Sequence, residues 1–249
     1  MAQPPTFTNS PPKKLTFQEY LFYEDNRDTL YELYRGQLIP MAAPTGLHIN
    51  ICKYLVYQFQ IYFAAANLPL IATIDAGIRT EIDSSRIPDV IICSPQLWQQ
   101  VCLRPGSGVL DFGEIPNLVV EVTSDNWRED YIRKRAEYAL IDIPEYWIVD
   151  PNKKRVRILI NPQNEDGYEH TDFEIGQRIN SPQFSNLRLS VEEILNPPLV
   201  DDLIKAEQAR LRELEQQLNE ERQRANLAQE RAERLSALLR DRGIDPDSV

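Results

Sequence analysis

Apolar and polar positions alternate along this chain with two clear periods. From His48 to Asn67 the apolar residues Ile51, Leu55, Phe59 and Tyr62 recur at helical steps, and Pro69 closes the run. This predicts an amphipathic helix. Around it lie shorter runs with strand character. YELY and QLIPM flank Arg35-Gly36 and predict a hairpin. LPLIATIDAGIRTEI reads as two strands bent at Asp75–Gly77, and Val90–Cys93 and Asn117–Val120 read as buried runs. EYWIVDP predicts a strand ended by Asp150-Pro151, and 155–160 with 168–173 predict a second hairpin.

Helices fall between these strands. Thr16 with Glu19 three residues on has capping-box spacing and predicts a helix over Thr16–Asp25. A short helix and a loop are expected over 96–115. A further helix is expected over Asn126–Ile141, with Tyr131, Ala136, Tyr138 and Ala139 on its inner face. Ser190 starts a short helix that ends near Asn196-Pro197-Pro198. Residues 1–14, rich in Pro, Thr and Ser, read as disordered.

After Pro198 the pattern changes. Residues 199–242 contain no Pro or Gly, and alternating steps of four and three give Val200, Ile204, Glu207, Leu211, Leu214, Leu218, Glu221, Ala225, Ala228, Ala232, Leu235 and Leu239. Only the two glutamates interrupt this seam, so a coiled coil is expected, ended by Gly243 and Pro246. A lone charged helix, or one folded back on the domain, remains open. The organisation expected is a disordered 1–14, a domain over 15–198, a coiled-coil helix over 199–242 and a tail over 243–249.

Composition narrows the class. With 249 residues, 42% hydrophobic and 26% charged, the chain can bury a core without disulfides. Its cysteines, Cys52, Cys93 and Cys102, form no CxxC pair, so their spacing signals neither a disulfide framework nor zinc, and a reducing compartment is expected. The N-terminus lacks the apolar run of a secretory signal, and no segment reaches the roughly 18 apolar residues of a membrane span. A cytoplasmic protein without membrane partners is expected.

The net charge of −11 opposes a nucleic-acid reading. Residues 201–249 hold 12 acids and 9 bases, leaving 26 acids and 18 bases in residues 1–200, so the globular part is itself acidic.

Two acids border the buried runs. Asp89 precedes Val90–Cys93, and Glu121 follows Asn117–Val120. A carboxylate at the end of an apolar run is costly to bury unless paired, and two that converge could hold a divalent cation. Read alone, each acid is more simply a strand end facing water, and a separation of 32 residues is permissive.

The string PNLVVEVTSDNWREDYIRKRAEYALIDIPEYWIVDP resembles the signature of the Uma-two family of restriction-endonuclease-like proteins, once catalogued as a domain of unknown function. Upstream, YELYRGQLIPMAAPTGLHINI and RIPDVIIC extend the resemblance over Thr16–Asn196. The family implies a PD-(D/E)XK nuclease core of the α/β (α+β) class, a mixed sheet flanked by helices. Pro88-Asp89 then matches the PD half-motif and Glu121 the second acid, with the Val122 carbonyl as an extra metal ligand. The wider superfamily carries a lysine two residues after that acid, where this chain has Thr123. The resemblance instead implies Lys134, on the following helix, as the catalytic cation, with Asp130 one turn earlier. Glu32 matches a further acid of the site and His48 a family histidine. Relatives carry Ser-Pro-Ser after the EV element. Here Thr123-Ser124-Asp125-Asn126 keeps the serine and lacks the proline.

The activity implied is magnesium-dependent cleavage of DNA, with manganese as a substitute ion and a homo-oligomer formed through 199–242. The alternative is a catalytically idle nuclease-fold scaffold that assembles with a protein partner through its coiled coil.

Overall fold

The computed structural model describes residues 14–24 and 29–243. The expected disordered segment, apart from Lys14, and the expected tail, apart from Gly243, lie outside these residues, as does Asp25. The chain divides into two compact units, Met1–Pro198 and Leu199–Val249.

In chain order the first unit runs α1 (Phe17–Leu21), β1 (Tyr31–Tyr34), β2 (Gln37–Pro40), α2 (Gly46–Ala65), β3 (Ile71–Thr73), β4 (Gly77–Glu81), β5 (Ser84–Arg86), β6 (Val90–Cys93), α3 (Pro95–Cys102), β7 (Val109–Leu110), β8 (Leu118–Val122), a π turn (Glu129–Lys134), α4 (Arg135–Leu140), β9 (Glu145–Asp150), β10 (Arg155–Ile160), β11 (Glu169–Glu174) and α5 (Val191–Leu195). Both capping boxes form: the Thr16 hydroxyl accepts the Glu19 N–H, the Ser190 hydroxyl accepts the Glu193 N–H, and each glutamate carboxylate reaches back to its cap. The first hairpin turns at Arg35 (φ 50°) and Gly36 (φ 82°), the positive pair that a tight two-residue turn between twisted strands needs.

The described residues form two mixed sheets where the family resemblance implied one. The smaller has the order β2-β1-β5-β4-β7 and the larger β11-β10-β9-β8-β6-β3. In the larger, β8 and β9 run parallel, joined by the π turn and α4, while β6 is antiparallel to β8. Parallel neighbours need such a crossover, and it covers one sheet face. All six residues of β9 are buried because both faces are covered. Tyr146 meets Tyr138 of α4 edge-on at 5.2 Å, and the next residue, Trp147, meets Phe59 of α2 at 5.3 Å on the other face.

Two strands escape the sequence pattern, and one helix differs from expectation in its winding and its inner face. The strands β5 and β7 carry no hydrophobic period, since Ser84-Ser85-Arg86 is polar yet wholly buried, and β7 is only two residues long. The helix expected over 126–141 is helical from Trp127 to Leu140, but Glu129–Lys134 is a π turn, with Arg135–Leu140 following as α-helix. Its wider bonding shifts the inward face, so Tyr131 and Tyr138 are buried while Ala136 is exposed.

The second unit is one helix, α6 (Val200–Asp241), with no buried residue. Its seam residues Leu211, Leu214, Leu218 and Leu235 are all exposed. No helix among the described residues is long and apolar enough to cross a membrane.

Candidate active site

The link Ile87-Pro88-Asp89 carries the chain from β5 in the smaller sheet to β6 in the larger. Glu32 of β1 latches this link by accepting the Ile87 N–H at 3.1 Å and the Arg86 guanidinium at 2.9 Å. Asp89 is therefore set at the end of the larger sheet, where antiparallel β6 begins and β8 ends. One of its oxygens accepts the Val122 N–H at 2.6 Å, and the other meets His48 Nε2 at 2.8 Å. Within an extended strand the N–H and carbonyl of one residue leave by the same edge. The Val122 carbonyl thus leaves β8 on the side of Asp89.

Glu121 lies one residue before, on the face that α4 covers. Alternation along β8 gives it the side of Val119, which shares a core cluster with Tyr138. It is 3% exposed, and each of its oxygens has a donor: the Tyr138 hydroxyl at 2.7 Å and Lys134 Nζ at 2.9 Å. Lys134 also contacts Glu32 at 3.1 Å and Asp130 at 3.9 Å. Buried and held by three carboxylates, Lys134 is no solvated helix residue. Beyond it, Arg86 is clamped by Glu137 through two bonds of 2.7 and 2.5 Å, and Thr80 donates to the same carboxylate.

The charges are unequal. Glu32, Glu121 and Asp130 surround Lys134, Glu32 and Glu137 hold Arg86, and Asp89 adds its negative charge beside Glu121 and Asp130. Burial and three neighbouring carboxylates push Glu121 well above the usual carboxylate range despite Lys134. Asp130 is pushed up to about 6, again by burial first and by nearby acids. Glu32 goes the other way, since Lys134 and Arg86 outweigh its burial. Burial alone would lower Lys134, but Glu121, Glu32 and Asp130 raise it, so it stays an ammonium. His48 is likewise raised, its bond to Asp89 outweighing burial.

The sequence-derived residues Glu32, Asp89, Glu121 and Lys134 are thus brought together, with Val122 anchoring Asp89. Glu32 accepts from the Ile87 N–H, Arg86 and Lys134, both of its oxygens being engaged as are those of Asp89 and Glu121. His48 is not the helix cap; Thr45 is, its hydroxyl accepting the His48 N–H. Sequence reading missed Tyr138 as a donor to Glu121, and Glu137. Arg86 itself is buried at 2% exposure. Arg79 bonds Asp111 and lies over the rings of Phe17 and Phe112. Arg135 bonds the Tyr168 carbonyl. A tight Arg–Glu pair from strand and helix has no sequence signature that spacing could reveal.

Three comparisons bear on these features. No curated protein matches the chain. A crystal structure described as "a putative nuclease belonging to DUF820", from Anabaena variabilis ATCC 29413, is similar at a TM-score of 0.58 and 19% identity, over 73% of this chain and 97% of that one. At that identity the likeness speaks for the fold. Residues 17–192 match the profile of the Uma2 family, described as "Putative restriction endonuclease". That match spans nearly all of the first unit, including the two acids, the lysine and the PD link, and the chain belongs to the Uma2 family.

Proposed function

We propose that the protein is a magnesium-dependent endonuclease that hydrolyses phosphodiester bonds in DNA. The observation that carries this reading is the Lys134 ammonium fixed between Glu121 and Glu32. Burying that many charges is expensive, and replacing such groups by apolar ones is often neutral or stabilising. A scaffold that only assembles with partners has no use for them.

The donor set suits a hard dication. Asp89, Glu121 and the Val122 carbonyl supply oxygen only, as Mg2+ prefers, and the local excess of acid over base is what a dication offsets. These three would hold the ion, with Mn2+ as substitute. When bound, it supplies charge that polarises the phosphoryl oxygen and acidifies the attacking water. The protein's own groups do the positioning. His48 and the Val122 N–H fix the two Asp89 oxygens, and Tyr138 fixes one Glu121 oxygen. Lys134 keeps its proton and offers positive charge where the phosphorane-like charge develops. Glu32 positions Lys134.

A basic rim supports DNA as the substrate despite the overall acidity. Parallel β8 and β9 end at the same edge of the sheet as Asp89, and their following turns carry Trp127, Arg128, Lys153 and Lys154. Lys153 Nζ lies 4.4 Å from the Trp127 ring centre and 4.2 Å from that of Tyr131, and Arg128 lies over Trp127 at 4.9 Å. Rings hold a cation in place without neutralising it. Asp150 lies 3.5 Å from Lys153, while no ion pair engages Arg128 or Lys154 among the described residues. These cations suit phosphates leaving the site.

The exposed leucine seam of α6 supports a homo-oligomer through residues 199–242. The test of the whole reading is nicking of supercoiled plasmid by the purified chain with Mg2+ or Mn2+ and its arrest by EDTA. Inactivity on varied DNA, with no metal bound, would return the scaffold reading.

A further inference from the structure

His48 and Cys52 are four residues apart on α2, so they face the same side. Asp89 meets them from the link between the sheets. Among the described residues, the nitrogen, sulfur and oxygen donors of these three lie within 4.8 Å of one another. With zinc bonds of 2.0–2.3 Å, tetrahedral donors sit roughly 3.3–3.8 Å apart, so side-chain shifts of about an ångström close the set. The side chains of His48 and Asp89 are 20% and 16% exposed, which leaves an approach and room for a water as fourth ligand.

We propose that His48, Cys52 and Asp89 bind a divalent cation of the zinc class, and that filling this site withdraws Asp89 from the magnesium ligands and stops cleavage. The second half rests on the nuclease reading above; the binding itself does not. Donor chemistry separates the two ions: thiolate and imidazole select Zn2+ and Co2+, whereas Mg2+ avoids sulfur. Binding breaks the Cys52 S–H bond and the N–H bond on the His48 nitrogen that ligates, and forms the sulfur–metal and nitrogen–metal bonds. The thiol proton and any imidazolium proton go to solvent, a neutral ring moving its proton to the other nitrogen, with no change of oxidation state. The metal also replaces the His48–Asp89 contact, so imidazole and carboxylate become joint ligands. Linear spacing hides this set, because its third donor comes from 37 residues beyond Cys52.

The experiment is a Co2+ titration of the full chain, read by its thiolate-to-cobalt absorption in the near ultraviolet. One equivalent should produce the band, and Zn2+ should displace it. Cys52→Ser, Cys52→Ala and His48→Ala, each checked by circular dichroism, should bind cobalt at least tenfold more weakly, and both cysteine variants should lose the band. Cys102→Ser should keep it. Absence of the band in the native chain, or its survival in a folded Cys52 variant, overturns the proposal. In parallel, Zn2+ should inhibit magnesium-driven nicking at least tenfold less in Cys52→Ser. Equal inhibition overturns the regulatory half. A native chain that shows the cobalt band but never nicks DNA overturns the nuclease reading alone.

Discussion

Lys134 Nζ donates to Glu121 Oε2 at 2.9 Å, although the lysine stands on the crossover and the glutamate on the strand before it. The position two residues after Glu121 is Thr123, whose hydroxyl is buried without a hydrogen-bond partner among the described residues. The helix thus delivers a cation that the strand lacks. Lys134→Met should reduce nicking by about 10²–10³-fold, the scale set by losing one preorganised charge donor. It should also lower stability by about 3–5 kcal/mol, because Glu121 and Glu32 lose a buried partner. Cleavage assays and urea unfolding check the two effects separately. Unchanged nicking by a folded Lys134→Met chain contradicts the role.

The Arg86–Glu137 clamp makes a separate structural claim. Glu137→Ala strands a guanidinium that is 2% exposed, with Glu32 as its remaining close partner. A loss of about 3–5 kcal/mol in chemical denaturation is expected. A loss below about 1 kcal/mol would show the clamp to be unimportant for stability.

Asp172 sets an acid limit. It accepts two bonds from Arg157, at 2.6 and 2.8 Å, and one from Arg155 at 2.7 Å. The Arg157 bonds above all hold its carboxyl below the usual range. Its folded pKa is depressed, so its stabilisation is complete above the unfolded value of about 3.9 and is lost as pH falls below that. Asp172→Asn should therefore be less stable than the native chain at neutral pH, and the gap should narrow below about pH 4. A gap that stays constant down to pH 2.5 contradicts the assignment.

The rim is tested with labelled duplex DNA in Ca2+. Lys153→Glu and Arg128→Glu should each weaken binding severalfold. Each should also flatten the slope of log affinity against log salt by about 0.9 for every phosphate no longer neutralised. Unchanged affinity and slope would place the DNA elsewhere.

Truncation after Pro198 removes α6. Light scattering should give an oligomeric mass for the full chain and a monomeric mass for 1–198. The same mass per chain in both would dismiss the coiled-coil seam.

Much of the scaffold could be read from residues whose local preference agrees with their final setting. The Thr16–Glu19 box, the Arg35-Gly36 turn and the valine-rich β8 are of this kind, since neighbours in sequence decide them. β5 could not be read this way: its buried arginine is stabilised by partners 50 or so residues distant, Glu32 and Glu137, and its Ser84 hydroxyl accepts the Arg35 N–H from the first hairpin. At the site, Asp89, Glu121 and Lys134 came from resemblance, because one residue pattern cannot tell an exposed strand-end acid from a buried one. Cys52 and Tyr138 read as ordinary helix-face residues. Only the packing of α2 and α4 on opposite faces of one sheet turns them toward Asp89 and Glu121.

The central claim is that two sheet-borne carboxylates and the Lys134 amine act on one phosphodiester. It is tested most directly by the magnesium-dependent nicking rates of the native chain, Asp89→Asn and Glu121→Gln, each first shown to be folded. The account predicts nicking by the native chain and a loss of at least 10²-fold in both variants. Native-level nicking by either variant, or a native chain that leaves every DNA form intact, would contradict it.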